Sequence, residues 1–137
     1  MTLSFVINGN HENINGNPLP YFRTTQQSAF SNGNLRYASW LEYVRRSFER
    51  TAGPGYLKIL REAGKLDRHP ITDKKIKGNV AATIYFAGEN HGDPDNVVKG
   101  ILDALFTNDK HIDVQTFHTC GNESGRVEVT VDVSVDN

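Results

Sequence analysis

Val127, Val129, Val131, Val133 and Val135 alternate strictly with Glu128, Thr130, Asp132 and Ser134. A period of two, with β-branched residues on one side and polar residues on the other, specifies a strand that buries one face and wets the other. The chain must therefore contain a sheet with one covered side, and the remaining apolar residues say what covers it. Tyr37, Trp40, Leu41, Val44 and Phe48 recur at three- and four-residue spacing among Glu42, Arg45, Arg46, Glu49 and Arg50, which predicts an amphipathic helix ending at Gly53-Pro54-Gly55. Leu57, Ile59, Leu60 and Ala63 predict a second helix that stops near Gly64, and Val97, Val98, Ile101, Leu102 and Leu105 form the stripe of a third.

Further strands fill out the sheet. Leu3, Phe5 and Ile7 alternate with Ser4 and Val6 in a short opening strand, and Ile112 to Phe117 form another. Val80, Ala82, Ile84 and Phe86 alternate with Ala81, Thr83 and Tyr85, a run apolar enough on both sides to be central. At 137 residues with 37% hydrophobic side chains, the chain has the size and composition of one ordinary domain. The reading is a single α/β (α+β) domain over residues 1–137, with a mixed β-sheet flanked by helices.

Composition removes several function classes. The sole cysteine, Cys120, rules out a disulfide framework or a thiolate zinc site within one chain and is expected to pack as a small apolar residue. No run approaches the roughly 18 to 20 apolar residues of a membrane span, and residues 1–20 lack a basic leader pattern, so a cytoplasmic protein is expected. Net charge is −1, but it is unevenly laid out: residues 1–80 hold twelve Lys and Arg against six Asp and Glu, and residues 81–137 hold three against ten. A basic half suits phosphate contacts while an acidic half can collect metal; solvated charged faces explain the split equally well.

The chemistry concentrates in Gly92-Asp93-Pro94-Asp95-Asn96-Val97-Val98-Lys99. Carboxylates two residues apart in an extended or turn segment point the same way, and Pro94 limits the conformations they must give up. Such a pair, with a third acid at Asp113 on the next element, suits Mg²⁺, which takes one or two carboxylates plus substrate phosphates. With Asp95 as the helix cap, Asp95, Lys99 and Asp103 fall along one side, which sets the Lys99 ammonium one turn from the acids, where it can face a phosphate. A calcium loop of EF-hand type would need glycine where Val98 stands, and a phosphatase-type pair should sit directly on a strand end, whereas Gly88 to Gly92 intervene. The five histidines, His11, His69, His91, His111 and His118, have no metal-ligand spacing and suit surface or loop positions; His91, two residues before Asp93, is the exception, placed where a ligand role is open to it.

The order of these pieces resembles the RusA family of Holliday junction resolvases. The resemblance rests on Asp93-Pro94-Asp95-Asn96-Val97-Val98-Lys99, Leu102-Asp103-Ala104-Leu105 and Ile112-Asp113, within a similar order of flanking elements. Gly92 stands where the family often has a basic residue, Val114 where it often has a second acid, and residues 51–78 are longer than usual. The resemblance implies a bacterial or phage-encoded homodimer on branched DNA (a four-way junction), in which Asp93, Asp95 and Asp113 hold Mg²⁺, Lys99 faces the phosphate and paired nicks resolve the junction. Arg23, Arg36, Lys74, Lys75 and Lys77 are then candidates for DNA-backbone contacts, the first two on loops flanking the site. Two other classes fit the same acids: a catalytically silent branched-DNA-binding protein, and a D-x-D nucleotidyl or glycosyl transferase.

Overall fold

The structure, a computed structural model, describes residues 2–9, 16–21, 32–62, 75–89 and 91–136. In chain order the elements are β1 (Thr2–Asn8), α1 (Asn32–Ala52), α2 (Pro54–Glu62), β2 (Lys75–Ala87), α3 (Pro94–Leu105), β3 (Ile112–Asn122) and β4 (Arg126–Asp136). The strands form one mixed sheet in the order β1-β4-β2-β3, with β4 antiparallel to both its neighbours and β2 parallel to β3. A parallel pair needs a crossover, and α3 supplies it. The predicted class, a single α+β domain with helices over one sheet, is the one observed.

The valine alternation does what its period requires: Val127, Val129, Val131 and Val133 are buried, as are Phe5 and Ile7 on β1 and Val80, Ala82, Ile84 and Phe86 on β2. This face packs against Trp40, Val44 and Phe48 of α1, Leu57 and Leu60 of α2, and the stripe of α3. Phe5 and Phe48 meet edge to face with ring centroids 5.4 Å apart. The opposite face is open, and there β2 differs from expectation: Ala81, Thr83 and Tyr85 are only partly covered, so the strand is central without being sandwiched.

Three boundaries also differ. α1 begins at Asn32, ahead of the first apolar residue of its stripe. Pro54, read as part of a breaker, opens α2, because proline lacks only an N–H that the first helical position leaves unused. β3 runs on past Phe117 to Asn122 through His, Thr, Cys and Gly, held by pairing with β2 rather than by its own pattern, with a bulge between Thr119 and Asn122. Among the described residues no helix is long and apolar enough to cross a membrane.

Candidate metal site and nucleic-acid surface

The two neighbouring acids sit at the start of α3. Asp93, not Asp95, is the N-cap: its φ and ψ are −66° and 132°, and its Oδ1 accepts the Asp95 backbone N–H at 2.8 Å. Pro94 is the first helical residue, and Asp95 lies in the first turn, its carboxylate toward solvent. The expectation of a cap at Asp95 is therefore shifted by two residues. Both carboxylates remain exposed on a helix N-terminus, with one oxygen of Asp93 committed to the cap.

This platform is held by a segment of the N-terminal arm, residues 16–21. Asn17, 2% exposed, pairs with both backbone groups of Ala87: its Nδ2 donates to the carbonyl at 3.1 Å and its Oδ1 accepts the N–H at 2.7 Å. The end of β2 is thereby satisfied by a side chain in place of another strand. Gly125 lies so close beneath the arm that a Cβ there would meet the Gly16 carbonyl oxygen at 2.1 Å, which only glycine avoids. Farther along, the Tyr21 N–H donates to the Asn96 carbonyl at 2.8 Å. A Cβ on Gly92 would come within 3.0 Å of the Pro20 ring, so the residue that departs from the RusA pattern is the one against which the arm packs.

Lys99 projects from α3 one turn, about 5.4 Å, beyond Asp95. Its Nζ lies 4.2 Å from the centroid of the Tyr21 ring, so the ammonium is steered by an aromatic face rather than by Asp103. Asp103 instead accepts a 2.9 Å hydrogen bond from the Tyr37 hydroxyl on α1. Burial first, and the neighbouring Asp103 charge second, push the Tyr37 phenol far above its ordinary range, so it stays a donor. Tyr21, Lys99, Asp103, Phe106, Thr107 and Asp109 line a polar pocket of about 200 Å³ along this side of α3.

Asp113 is elsewhere. It is the second residue of β3, in register with Asn79 of β2, and Asn79 in turn pairs with Asp132 of β4, so the three share a row on the open face of the sheet. They line, with Lys77, His111 and Ser134, an open pocket of about 420 Å³. Asp93 lies beyond the far end of β2, past Ala87. Asn79 and Ala87 are eight positions apart along β2, roughly 26 Å at about 3.3 Å per residue, and α3 itself is roughly 18 Å long. Within one chain the three acids are thus divided by the length of the crossover and by the thickness of the sheet. Among the described residues no group of three or more His, Cys, Asp or Glu is placed to hold a metal ion. The position in β3 that faces the helices is Val114, in register with buried Val80 and itself 40% exposed.

The basic candidates scatter. Arg36 lies exposed within α1, a correction to its expected place on a loop, because the helix starts four residues earlier. Lys77 is on the open face beside Asp113, and Lys75 is the first residue of β2. Arg23 and Lys74 fall outside the described residues, as do His11 and His69.

Sequence reasoning missed one pairing. Cys120, expected to pack as a small apolar residue, is exposed, with its Sγ 3.2 Å from His91 Nε2. His91 Nδ1 lies 2.9 Å from the Gly92 carbonyl, and its ring stacks on Phe86 at a centroid distance of 3.8 Å. The two residues are 29 positions apart, and only the parallel return of β3 along β2 brings them together.

No protein-family model matches this chain, and no curated protein matches it.

Proposed function

We propose that this protein is a Mg²⁺-dependent, structure-selective endodeoxyribonuclease that acts on four-way DNA junctions. The observation that carries the reading is the exposed Asp93-Pro94-Asp95 pair on the N-terminus of α3, with Lys99 one turn along the same helix. The donor set fits a hard cation that keeps several positions for water and substrate oxygens, since Mg²⁺ is commonly held by one or two carboxylates plus phosphates. Asp93, through the oxygen not used in capping, and Asp95 would hold it. Bound there, the metal supplies charge stabilisation to the attacked phosphodiester.

The protein's own groups do the rest. The Asp95 N–H fixes the Asp93 carboxylate, so its donor is oriented before substrate arrives. The partial positive charge of the helix N-terminus and the Lys99 ammonium favour a phosphate over the acidic pair. Tyr21 restricts Lys99 to that side of α3. The RusA-like order of elements is consistent with two subunits nicking opposite strands of one junction, in a cytoplasmic setting.

The test is incubation of the protein with a synthetic four-way junction and Mg²⁺. Paired nicks in the protein as it stands, lost in Asp95→Asn with junction binding retained, support the reading; no nicks on any junction sequence sink it. Lys99→Ala is expected to slow nicking more than it weakens binding. Asp113→Asn is expected to retain nicking, because Asp113 lies on the other face of the sheet.

A second reading is favoured by a specific observation. Asp113 is remote and Val114 takes the helix-facing position beside it, so a protein that binds branched DNA without cutting accounts for a metal platform short of one carboxylate. Binding without nicks in the same experiment selects it.

A further inference from the structure

The pocket of about 200 Å³ beside Lys99 lies outside the Asp93 and Asp95 pair, and its lining is selective about charge. Asp103 and Asp109 bring two carboxylates into it against the one ammonium of Lys99, so a phosphate is repelled. A metal ion, in turn, would meet that ammonium in place of a ligand. The lining suits a neutral group that offers hydrogen-bond donors to a carboxylate and an acceptor to the ammonium. Tyr21 and Phe106 add aromatic rings to the wall, against which a planar group can lie.

The two carboxylates differ. Asp103 is fixed by the Tyr37 hydroxyl, which donates to it at 2.9 Å. The Asp109 side chain has no hydrogen bond or ion pair among the described residues, while its backbone carbonyl accepts the Ile112 N–H at 3.0 Å and so holds the turn that carries it. Thr107, between them, is tied to α2 through its hydroxyl, which donates to the Arg61 carbonyl. An uncommitted carboxylate on a held turn presents two acceptor oxygens side by side. Of the four bases, guanine alone sets two donors next to each other on its pairing edge, N1–H and the 2-amino group, with the O6 acceptor beyond them. Cytosine and adenine place an acceptor beside their amino group, and thymine has one donor between two carbonyls.

On the reading that DNA lies over the start of α3, we propose that this pocket takes an unstacked guanine base. Asp109 accepts N1–H and the 2-amino group, Lys99 donates to O6, and the ring lies against Tyr21 and Phe106. The ammonium of Lys99 has three donors, so O6 and a phosphate can share it. Extruding a base costs least where pairing and stacking are already interrupted, as at a strand crossing. Asp109 then reads sequence, a task separate from the backbone chemistry of Asp93 and Asp95.

Binding is measured in EDTA, so the outcome does not depend on whether the protein cuts DNA. Two probes separate the sources of the base: free guanosine, and a four-way junction with guanine at its crossing. In the probe that enters the pocket, hypoxanthine, which lacks only the 2-amino group, is expected to bind at least about tenfold more weakly than guanine, the loss of one hydrogen bond to a charged group. A preference shown by guanosine assigns the pocket to free nucleosides as well, and one shown by the junction alone assigns it to DNA. Asp109→Asn, whose amide adds a donor, is expected to lose the guanine preference and to favour xanthine, which has a carbonyl in place of the 2-amino group. A merely structural role for Asp109 does not produce that exchange. No binding, or equal binding of guanine and hypoxanthine in both probes, overturns the proposal, as does a folded Asp109→Asn that keeps the guanine preference or fails to take xanthine. A guanine preference without nicks in Mg²⁺ sinks the nuclease reading alone.

Discussion

Asp93 caps α3 and, in the function proposed above, also holds Mg²⁺, and substitution can separate the two roles. Asparagine caps a helix about as well as aspartate, whereas alanine does not. Asp93→Asn should therefore stay within about 0.5 kcal/mol of the wild type in urea unfolding while losing nicking, and Asp93→Ala should lose about 0.5–2 kcal/mol as well. Equal unfolding of the two would show that the cap is energetically idle. Tyr37 gives a pH signature. Its phenol is raised by burial and by Asp103, so the folded state holds the proton more tightly than the unfolded chain does. The stabilisation is complete below the unfolded value near pH 10 and is lost as pH climbs above it. Tyr37→Phe should flatten that alkaline loss in melts taken at rising pH; an unchanged slope would assign the loss to other groups. At this scale the sequence was half legible. The spacing set Asp95 and Lys99 one turn apart on a helix, as found, but proline's fitness for the first helical position moved the cap to Asp93, and Tyr21 beneath Lys99 carried no signal because its partner lies 78 residues away.

The elements were legible wherever one face was apolar and the other polar. β4, α3 and the core of α1 follow from period alone. β3 beyond Phe117 does not, because a strand exposed on both faces has no periodicity to show. Nor does the end of α3, which is closed by residues of other helices. Arg45 Nε donates to the Ala104 carbonyl at 2.8 Å, and Arg61 Nη1 donates to that of Asp103 at 2.8 Å. These cations meet carbonyls that have no partner within α3 and complement the negative end of its dipole. The crowding has a cost at Arg61, whose guanidinium is lowered by burial and then by Arg45, against a smaller opposing pull from Asp103. Arg45→Ala is expected to lower stability by about 1.5–3 kcal/mol, as for a hydrogen bond from a charged donor, with denaturant unfolding as the measure. A loss below about 0.5 kcal/mol would mean that solvent caps α3 as well as the arginines do.

For the whole molecule, pattern established that helices cover one side of a sheet, but strand order lay beyond it, and strand order decides where the acids go. Asp113 follows Asp95 closely in sequence, yet a crossover helix carries the chain from one end of β2 to the other, so nearness along the chain becomes distance in space. The same order puts β4, the last strand described, between β1 and β2. Thr2 must find Asp132, and Lys75 must find Asp136, before either strand has a neighbour on that side. Such pairings close long loops before any ladder bond repays the lost entropy, which slows folding. A chain ending at Gly125 is expected to be unfolded by circular dichroism rather than weakened in proportion to what it lacks, and a folded fragment would show that β2, α3 and β3 stand alone. The first 125 residues, Asp93 and Asp95 among them, wait on β4: the acidic start of α3 is encoded before the strand that makes its sheet possible, so a nascent chain would present these acids well before they had a folded setting.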